Sequence, residues 1–238
     1  MLLNTLESGS GERVVLLLHG LMGSAESWWR IGSLLAGRGH RVLALDLPGH
    51  GLSARDAQGT VASAADAVIA TVEGLTGGAP LSAMGHSYGG TVLAAAADRL
   101  PLECTVYVDT ACHFPGGADR VALAARYEAD RRRRTDPTWL RTSRPFYSQT
   151  DAEVEARAAE RFDPATAASI SAGADVSHVP EAGSILIRAR PSSYVSDAEA
   201  GRLSLRGVQV RDVPGAAHTV WYSHFDRFCA LLPEVFAG

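Results

Sequence analysis

The sequence has few cysteines, and their positions point to neither a disulfide framework nor a metal site. Cys104, Cys112 and Cys229 are the three cysteines among 238 residues, and their spacing matches no metal-binding motif. We expect small buried thiols in a reducing compartment. The histidines and carboxylates show no pattern such as H-E-x-x-H, so the sequence predicts no metal and no cofactor.

The chain also lacks a surplus of basic residues and a long apolar run. Its formal net charge is −4, whereas nucleic-acid-binding proteins usually present a basic face. Residues 1–7 have no basic lead and no apolar core, unlike a signal peptide. The apolar run at residues 14–18 is too short to span a bilayer. We therefore expect a soluble cytoplasmic protein with no nucleic-acid or membrane partner. The sequence makes no prediction about the oligomeric state.

No Pro/Ser-rich linker divides the chain, which favours one α/β domain over two small ones. Continuous apolar runs are typical of strands that are covered on both faces of a parallel sheet. Because these runs alternate with helical segments, we predict a doubly wound, mostly parallel sheet with right-handed crossovers. The predicted strands are residues 14–18, 41–46, 81–84, 104–108, 184–188 and 208–213. The predicted helices are residues 24–35 and 60–75, one that ends near residue 99, and one near 223–236.

The alternation stops in the middle of the chain. Residues 114–179 contain no convincing buried strand and consist of polar segments with helical character. We predict that residues 113–180 are a helical cap inserted over the sheet edge. The core domain would then consist of residues 1–112 and 181–238.

The pentapeptide Gly85-His86-Ser87-Tyr88-Gly89 fits the pattern G-x-S-x-G between an apolar run and a helix. In that context the turn exposes a serine hydroxyl above the sheet, and the crowding of strand and helix requires small residues on both sides. We predict that Ser87 is a nucleophile. The alternative, a serine that only caps the helix, leaves both glycines without a purpose.

Four motifs stand in the order that they have in the α/β-hydrolase superfamily, which the chain resembles over nearly its whole length. They are His19-Gly20 after the first buried strand, Asp-Leu-Pro-Gly-His-Gly at residues 46–51, the Ser87 pentapeptide, and Pro-Gly-Ala-Ala-His at residues 214–218. The resemblance implies a Ser–acid–His triad beneath a helical cap. It is a similarity to cofactor-free esterases and lactonases, and it does not single out a subfamily.

The resemblance implies that His218 is the base that accepts the proton of Ser87 and later the acid for the leaving group. His218 lies in a Pro-Gly loop after the last strand. His19 and His50 lie in turn motifs, and we expect backbone groups to satisfy them. His86 flanks the serine, and we expect the turn to direct its side chain away from the site.

By analogy with the superfamily, the backbone N–H groups of Leu21 and Tyr88 would form the oxyanion hole. Tyr88 directly follows the nucleophile, and Leu21 follows the His19-Gly20 turn. Such donors supply about 3–4 kcal/mol of transition-state stabilisation each.

The acid departs from the usual pattern, because serine stands at the expected place after the strand at residues 185–188. Asp109 and Asp197 both preserve the order Ser, acid, His. Asp109 ends the strand that follows the nucleophile, where certain haloalkane dehalogenases place their acid, and a strand end aims a side chain rigidly. We favour Asp109. The alternatives are that Asp109 only binds loop amides and that Asp197 is a helix N-cap.

Aromatic residues are candidates for an apolar substrate pocket. Trp139, Phe146 and Tyr147 lie in the predicted cap, and Trp28 stands near the predicted oxyanion loop. The alternative for each is packing of the core or of the cap. Four consecutive arginines, residues 131–134, suggest an anionic ligand, but consecutive helical residues point in several directions, which favours a solvated face.

Three classes of function remain open for a small-molecule substrate. The leading hypothesis is a serine hydrolase that cleaves a carboxylic ester or lactone through an acyl-enzyme. The second is a thioester or carbon–carbon bond hydrolase with the same triad and a different pocket. The third is a ligand-binding member of the fold that does not hydrolyse, because fold alone does not settle the reaction.

Overall fold

A seven-stranded sheet forms the centre of the computed structural model, which describes residues 1–236. The strands within these residues are β1 (Thr5–Ser8), β2 (Arg13–Leu18), β3 (His40–Leu45), β4 (Leu81–His86), β5 (Leu102–Val108), β6 (His113–Phe114), β7 (Val176–Ser177), β8 (Ile185–Arg190) and β9 (Gln209–Pro214). The main sheet has the order β1-β3-β2-β4-β5-β8-β9. Only β1 is antiparallel to its neighbour there, which confirms the prediction of a mostly parallel sheet.

Helices cover both faces of this sheet. The α-helices of residues 1–236 are α1 (Trp29–Gly37), α2 (Val61–Thr76), α3 (Tyr88–Ala96), α4 (Arg120–Arg134), α5 (Pro137–Ser143), α6 (Gln149–Arg161), α7 (Pro164–Ser171), α8 (Asp197–Leu205), α9 (Val220–Ser223), α10 (Phe225–Ala230) and α11 (Pro233–Phe236). Of these, α4 to α7 pack mainly on one another. The single last helix expected near residues 223–236 is instead three short helices. The backbone of His224 is not helical, and Pro233 begins a new segment because it has no N–H to donate.

The continuous apolar run of β2 is explained by helices on both sides of it. Leu16 and Leu18 pack into the layer that contains α2 and α3. Val15 and Leu17 pack into the opposite layer with α1 and the C-terminal helices. Successive side chains of a strand point to opposite faces, so both registers must be apolar.

Residues 113–180 lie between two neighbouring strands, β5 and β8. They contain α4 to α7, with α4 packed on α7 and α5 on α6. The short strands β6 and β7 pair antiparallel, so the two ends of the segment meet. The division into a core domain and an inserted cap domain stays a prediction.

Two observations complete the description of residues 1–236. Their three cysteines are free thiols that are partly buried. None of their helices has both the length and the apolar character required to cross a bilayer.

Candidate active site

Ser87 occupies a strained turn between β4 and α3. Its φ of 49° and ψ of −119° lie in a region that residues other than glycine rarely adopt. A Cβ on Gly85 would lie 2.7 Å from the carbonyl oxygen of Gly89, and a Cβ on Gly89 would lie 2.4 Å from that of Leu18. Both glycines are therefore required for the close approach of strand and helix.

His218 and Asp109 form a hydrogen bond of 2.7 Å between Nδ1 and Oδ2. Asp109 follows β5, is 1% exposed and has a φ of 45°. Its backbone N–H donates to the carbonyl of Ile187 at 2.8 Å, and its Oδ1 accepts from the N–H of Ala189 at 3.2 Å. The backbone of β8 thus fixes the carboxylate that contacts His218.

Asp197, the other candidate acid, lies elsewhere. It is the first residue of α8, whose N-cap is Ser196, and its side chain is 74% exposed. Its carboxylate pairs with Arg188 at 2.7 Å, and Arg188 is buried and also pairs with Asp212. Asp197 therefore helps to balance a buried guanidinium, and Asp109 makes the contact with His218.

A cavity of about 680 Å³ lies above the turn. Six of the predicted site residues are among those that line it: Leu21, Ser87, Tyr88, Phe146, Tyr147 and His218. Among the hydrogen bonds of the described residues 1–236, none joins the hydroxyl of Ser87 to His218. The two side chains share the cavity wall.

Two backbone amides beside Ser87 are free to bind a ligand. The N–H of Tyr88 opens α3 and has no acceptor within the helix. Leu21 lies in a turn that a hydrogen bond of 3.0 Å closes between the Gly23 amide and the Gly20 carbonyl. Within the described part of the chain, neither amide donates to a protein acceptor. Both belong to residues that line the cavity.

Two of the four predicted aromatic residues lie outside the cavity lining. Trp28 is 1% exposed and stacks on Trp221 with ring centroids 4.1 Å apart, so it belongs to the core. Trp139 packs against that same core layer and beneath the guanidinium of Arg144. The expectation that Trp28 and Trp139 line the pocket is not met, whereas Trp221 does line it.

His86 lines the cavity, contrary to the expectation that it points away. Its ring centroid lies 4.5 Å from that of His218, and its Nε2 donates to the backbone carbonyl of His218 at 3.1 Å. Burial and the neighbouring His218 hold the pKa of His86 well below 6.5. A neutral imidazole therefore supports the loop that carries His218.

Two other histidines bind backbone groups, which meets the expectation for both nitrogens of His19 but only for Nδ1 of His50, whose buried Nε2 has no partner in residues 1–236. His19 Nδ1 donates to the carbonyl of Gly20 at 2.8 Å, and its Nε2 accepts from the N–H of Leu47 at 3.0 Å. His50 Nδ1 donates to the carbonyl of Pro48 at 2.9 Å. Burial lowers the pKa of His19 and lowers that of His50 to about 3.

Comparisons with known proteins identify relatives that match part of the chain. Methyl jasmonate esterase 1 of Vitis vinifera is 28% identical over 107 residues, which cover 44% of this chain and 41% of that protein. Methylesterase 8 of Arabidopsis thaliana is 34% identical over 101 residues, which cover 42% of this chain and 37% of that protein. The matches thus span about two fifths of the length of these curated relatives.

The fold is shared with solved structures over nearly its full length. The enol-lactonase from Burkholderia xenovorans LB400 superposes with a TM-score of 0.78 at 17% identity, covering 99% of this chain and 96% of that one. A family model described as the alpha/beta hydrolase family matches residues 15–231. That match begins in β2, ends after α10, and includes the Ser87 turn, Asp109 and His218. The chain therefore belongs to the alpha/beta hydrolase family.

Proposed function

We propose that this protein is a serine hydrolase that cleaves a carboxylic ester or lactone through an acyl-enzyme intermediate. The observation that carries the proposal is the 2.7 Å hydrogen bond between His218 and the buried Asp109, with His218 and Ser87 on the same cavity wall. Ser87 is the nucleophile, His218 its base, and Asp109 the group that orients the imidazole.

The hydrogen bond to Asp109 assigns the two nitrogens of His218 to different tasks. Nδ1 keeps its proton on the carboxylate side, so Nε2 is the atom that accepts the proton of Ser87 Oγ as the serine attacks the carbonyl. Nε2 then returns this proton to the leaving alkoxide. Water repeats the sequence on the acyl-enzyme, and the acid is released with Ser87 restored.

The negative oxygen of each tetrahedral intermediate is bound by the amides of Leu21 and Tyr88. Both N–H groups lack a protein acceptor within residues 1–236 and belong to the cavity lining. The N-terminus of α3 adds the positive end of its dipole at the same place. Each amide supplies about 3–4 kcal/mol of transition-state stabilisation.

The names of the similar proteins support the choice of bond. Two curated relatives are named as esterases, and a structure with the same fold is named as a lactonase. Esters and lactones share one carbonyl chemistry, for which Ser87, His218, Asp109 and the two amides supply the groups.

The test is a burst experiment with 4-nitrophenyl acetate. We expect a rapid release of one equivalent of 4-nitrophenol per active site, followed by slower turnover, and no burst in Ser87→Ala. A fluorophosphonate probe should label the wild type at Ser87, as identified by mass spectrometry of the peptide. A wild-type protein that hydrolyses neither esters nor thioesters and resists the probe would contradict the proposal.

A further inference from the structure

The part of the cavity wall that the helices between β5 and β8 supply is charged. Arg126, Asp130 and Arg134 lie on α4, Arg144 directly follows α5, and Glu155 lies on α6. These five side chains carry three positive charges and two negative ones. Ligand pockets are usually apolar with few polar groups, so this concentration of charge calls for a ligand that matches it.

The two carboxylates are already occupied by protein donors. Glu155 is buried and accepts from Arg134 Nη2 at 2.9 Å and from the Tyr222 hydroxyl at 3.0 Å, each with a different oxygen. Asp130 is hydrogen-bonded to Arg133 on the same helix. Arg134 keeps one donor free, because its buried Nε has no hydrogen-bond partner in residues 1–236.

Arg144 is a partly buried cation of this wall that neither carboxylate pairs with. It is half-buried and forms no ion pair within the described residues. Its guanidinium donates to the hydroxyl of Ser143 at 3.2 Å. Its Cζ lies 5.8 Å from the ring centroid of Tyr147, another residue of the cavity wall.

The surroundings of Arg144 disfavour its charge. Burial and, secondly, the positive charge of Arg134 lower the pKa of Arg144, and the opposing effects of Tyr147, Glu155 and Asp130 offset this only in part. A guanidinium nevertheless stays protonated in proteins. An anion beside Arg144 would offset this repulsion, and the Nε of Arg134 is a buried donor that has no partner in residues 1–236.

We propose that Arg144, assisted by Arg134, binds a carboxylate on the substrate, so that the substrate is an ester or lactone with a second, free carboxylate. This inference rests on the proposed function. Glu155 neutralises Arg134 and Asp130 is paired with Arg133, so the single positive charge of Arg144 is left, which matches a monoanion and disfavours a dianion such as a phosphate. A guanidinium binds a carboxylate through two parallel hydrogen bonds. Arg126 is exposed, and an ion pair in contact with water gains little free energy, so we expect Arg126 to add little to the binding of this carboxylate.

The test compares two series of 4-nitrophenyl esters of equal carbon number. One series consists of hemiesters of dicarboxylic acids with four to eight carbons, and the other of esters of the matching monocarboxylic acids. Spontaneous hydrolysis is subtracted from each rate. We expect kcat/KM to be higher for at least one hemiester than for its neutral counterpart. In Arg144→Gln that value should fall about 10- to 100-fold further than the value for the neutral counterpart.

Arg141→Gln is the matched control. Arg141 is an exposed residue of α5 that does not line this cavity, and its loss should leave both series unchanged. Arg144→Lys keeps the charge without the paired donors and should restore part of the hemiester rate. A variant of Arg144 that folds poorly would reveal itself by loss of neutral-ester turnover, and Arg144→Lys then carries the test.

The outcomes separate this inference from the proposed function. If neutral esters are cleaved in a Ser87-dependent way but no hemiester is preferred, or Arg144→Gln slows both series equally, the carboxylate site is overturned and the hydrolase remains. If no ester is cleaved, calorimetric titration with monomethyl adipate measures whether the proposed carboxylate site at Arg144 binds a ligand. Binding that Arg144→Gln abolishes supports it, and absence of binding overturns it.

Discussion

The ring of Tyr194 stacks on the imidazole of His218, with centroids 3.9 Å apart and planes inclined by 21°. Tyr194 stands in the loop after β8, where Ser192 Oγ accepts from the amides of Tyr194 and Val195 at 3.0 Å each. The serine found where the family usually has its acid therefore folds the loop that brings an aromatic ring to His218.

This contact predicts that Tyr194 holds His218 in its working orientation. Tyr194→Ala should lower kcat/KM for 4-nitrophenyl acetate about two- to tenfold, since an aromatic pair is worth about 0.5–1.5 kcal/mol. Tyr194→Phe keeps the stack and should retain near-normal activity. Equal losses in both variants would mean that the hydroxyl, rather than the stacking, is what matters.

Asp109→Asn should lower kcat by at least ~10³-fold, because an amide cannot stabilise the imidazolium and favours the wrong tautomer of His218. Asp197→Asn is the matched control, since it alters the other candidate acid, which pairs with Arg188 instead. Steady-state kinetics with one ester substrate check both. Near-normal activity of Asp109→Asn together with loss in Asp197→Asn would reverse the assignment.

Gly89→Ala should destabilise the protein, because the added methyl would lie 2.4 Å from the carbonyl oxygen of Leu18, a backbone atom that cannot move aside. We expect the free energy of unfolding to fall by about 1–3 kcal/mol or more, measured in urea. Gly74→Ala is the contrasting change on α2. Nothing lies within 4 Å of the position that the new Cβ would take, so Gly74→Ala should raise the free energy of unfolding by about 0.5–1 kcal/mol.

Stability should fall as the solution becomes acidic, because His19, His50 and His86 are buried with lowered pKa values. Between pH 6.5 and these native pKa values the unfolded chain binds protons that the native protein does not. The free energy of unfolding therefore decreases as pH falls, by at most about 1.4 kcal/mol per pH unit for each histidine.

His50 provides the test of this pH dependence. Its native pKa of about 3 means that the unfolded and native chains differ in proton binding at this residue from pH 6.5 down to pH 3. His50→Phe should reduce the pH slope of the unfolding free energy by about one proton, measured in urea at pH 7.5, 6.0 and 5.0. The variant should also lose about 1 kcal/mol at pH 7.5, where the hydrogen bond to Pro48 is missing. An unchanged slope would contradict the role of burial.

The apolar strands could be predicted because their pattern follows from how they are buried. β2 and β3 have both faces covered, and their continuous apolar runs are visible without any tertiary information. β1 has no such pattern. It has four residues, none of them fully buried, at the edge of the sheet, and only the pairing with β3 makes it a strand.

Within the candidate site, the residues at chain turns could be predicted and the residues that meet through packing could not. Ser87 and His218 stand in local motifs, and Asp109 stands at a strand end that a parallel sheet directs toward the same edge. The contact of Glu155 with Tyr222 joins residues 67 positions apart and has no local signal. The position of Trp28 near the oxyanion loop does not separate a pocket wall from the core, and only its stacking on Trp221 shows that it belongs to the core.

β5 and β8 are neighbours in the sheet although residues 113–180 separate them in the sequence. Val106 pairs with Ile185 and Val108 with Ile187, so the polypeptide leaves the sheet and rejoins it one strand away. The backbone pairing that holds Asp109 therefore does not depend on the length or make-up of what is spliced between these strands. We therefore expect that replacing this segment would change the part of the cavity wall that it supplies, while the pairing that holds Asp109 stays in register.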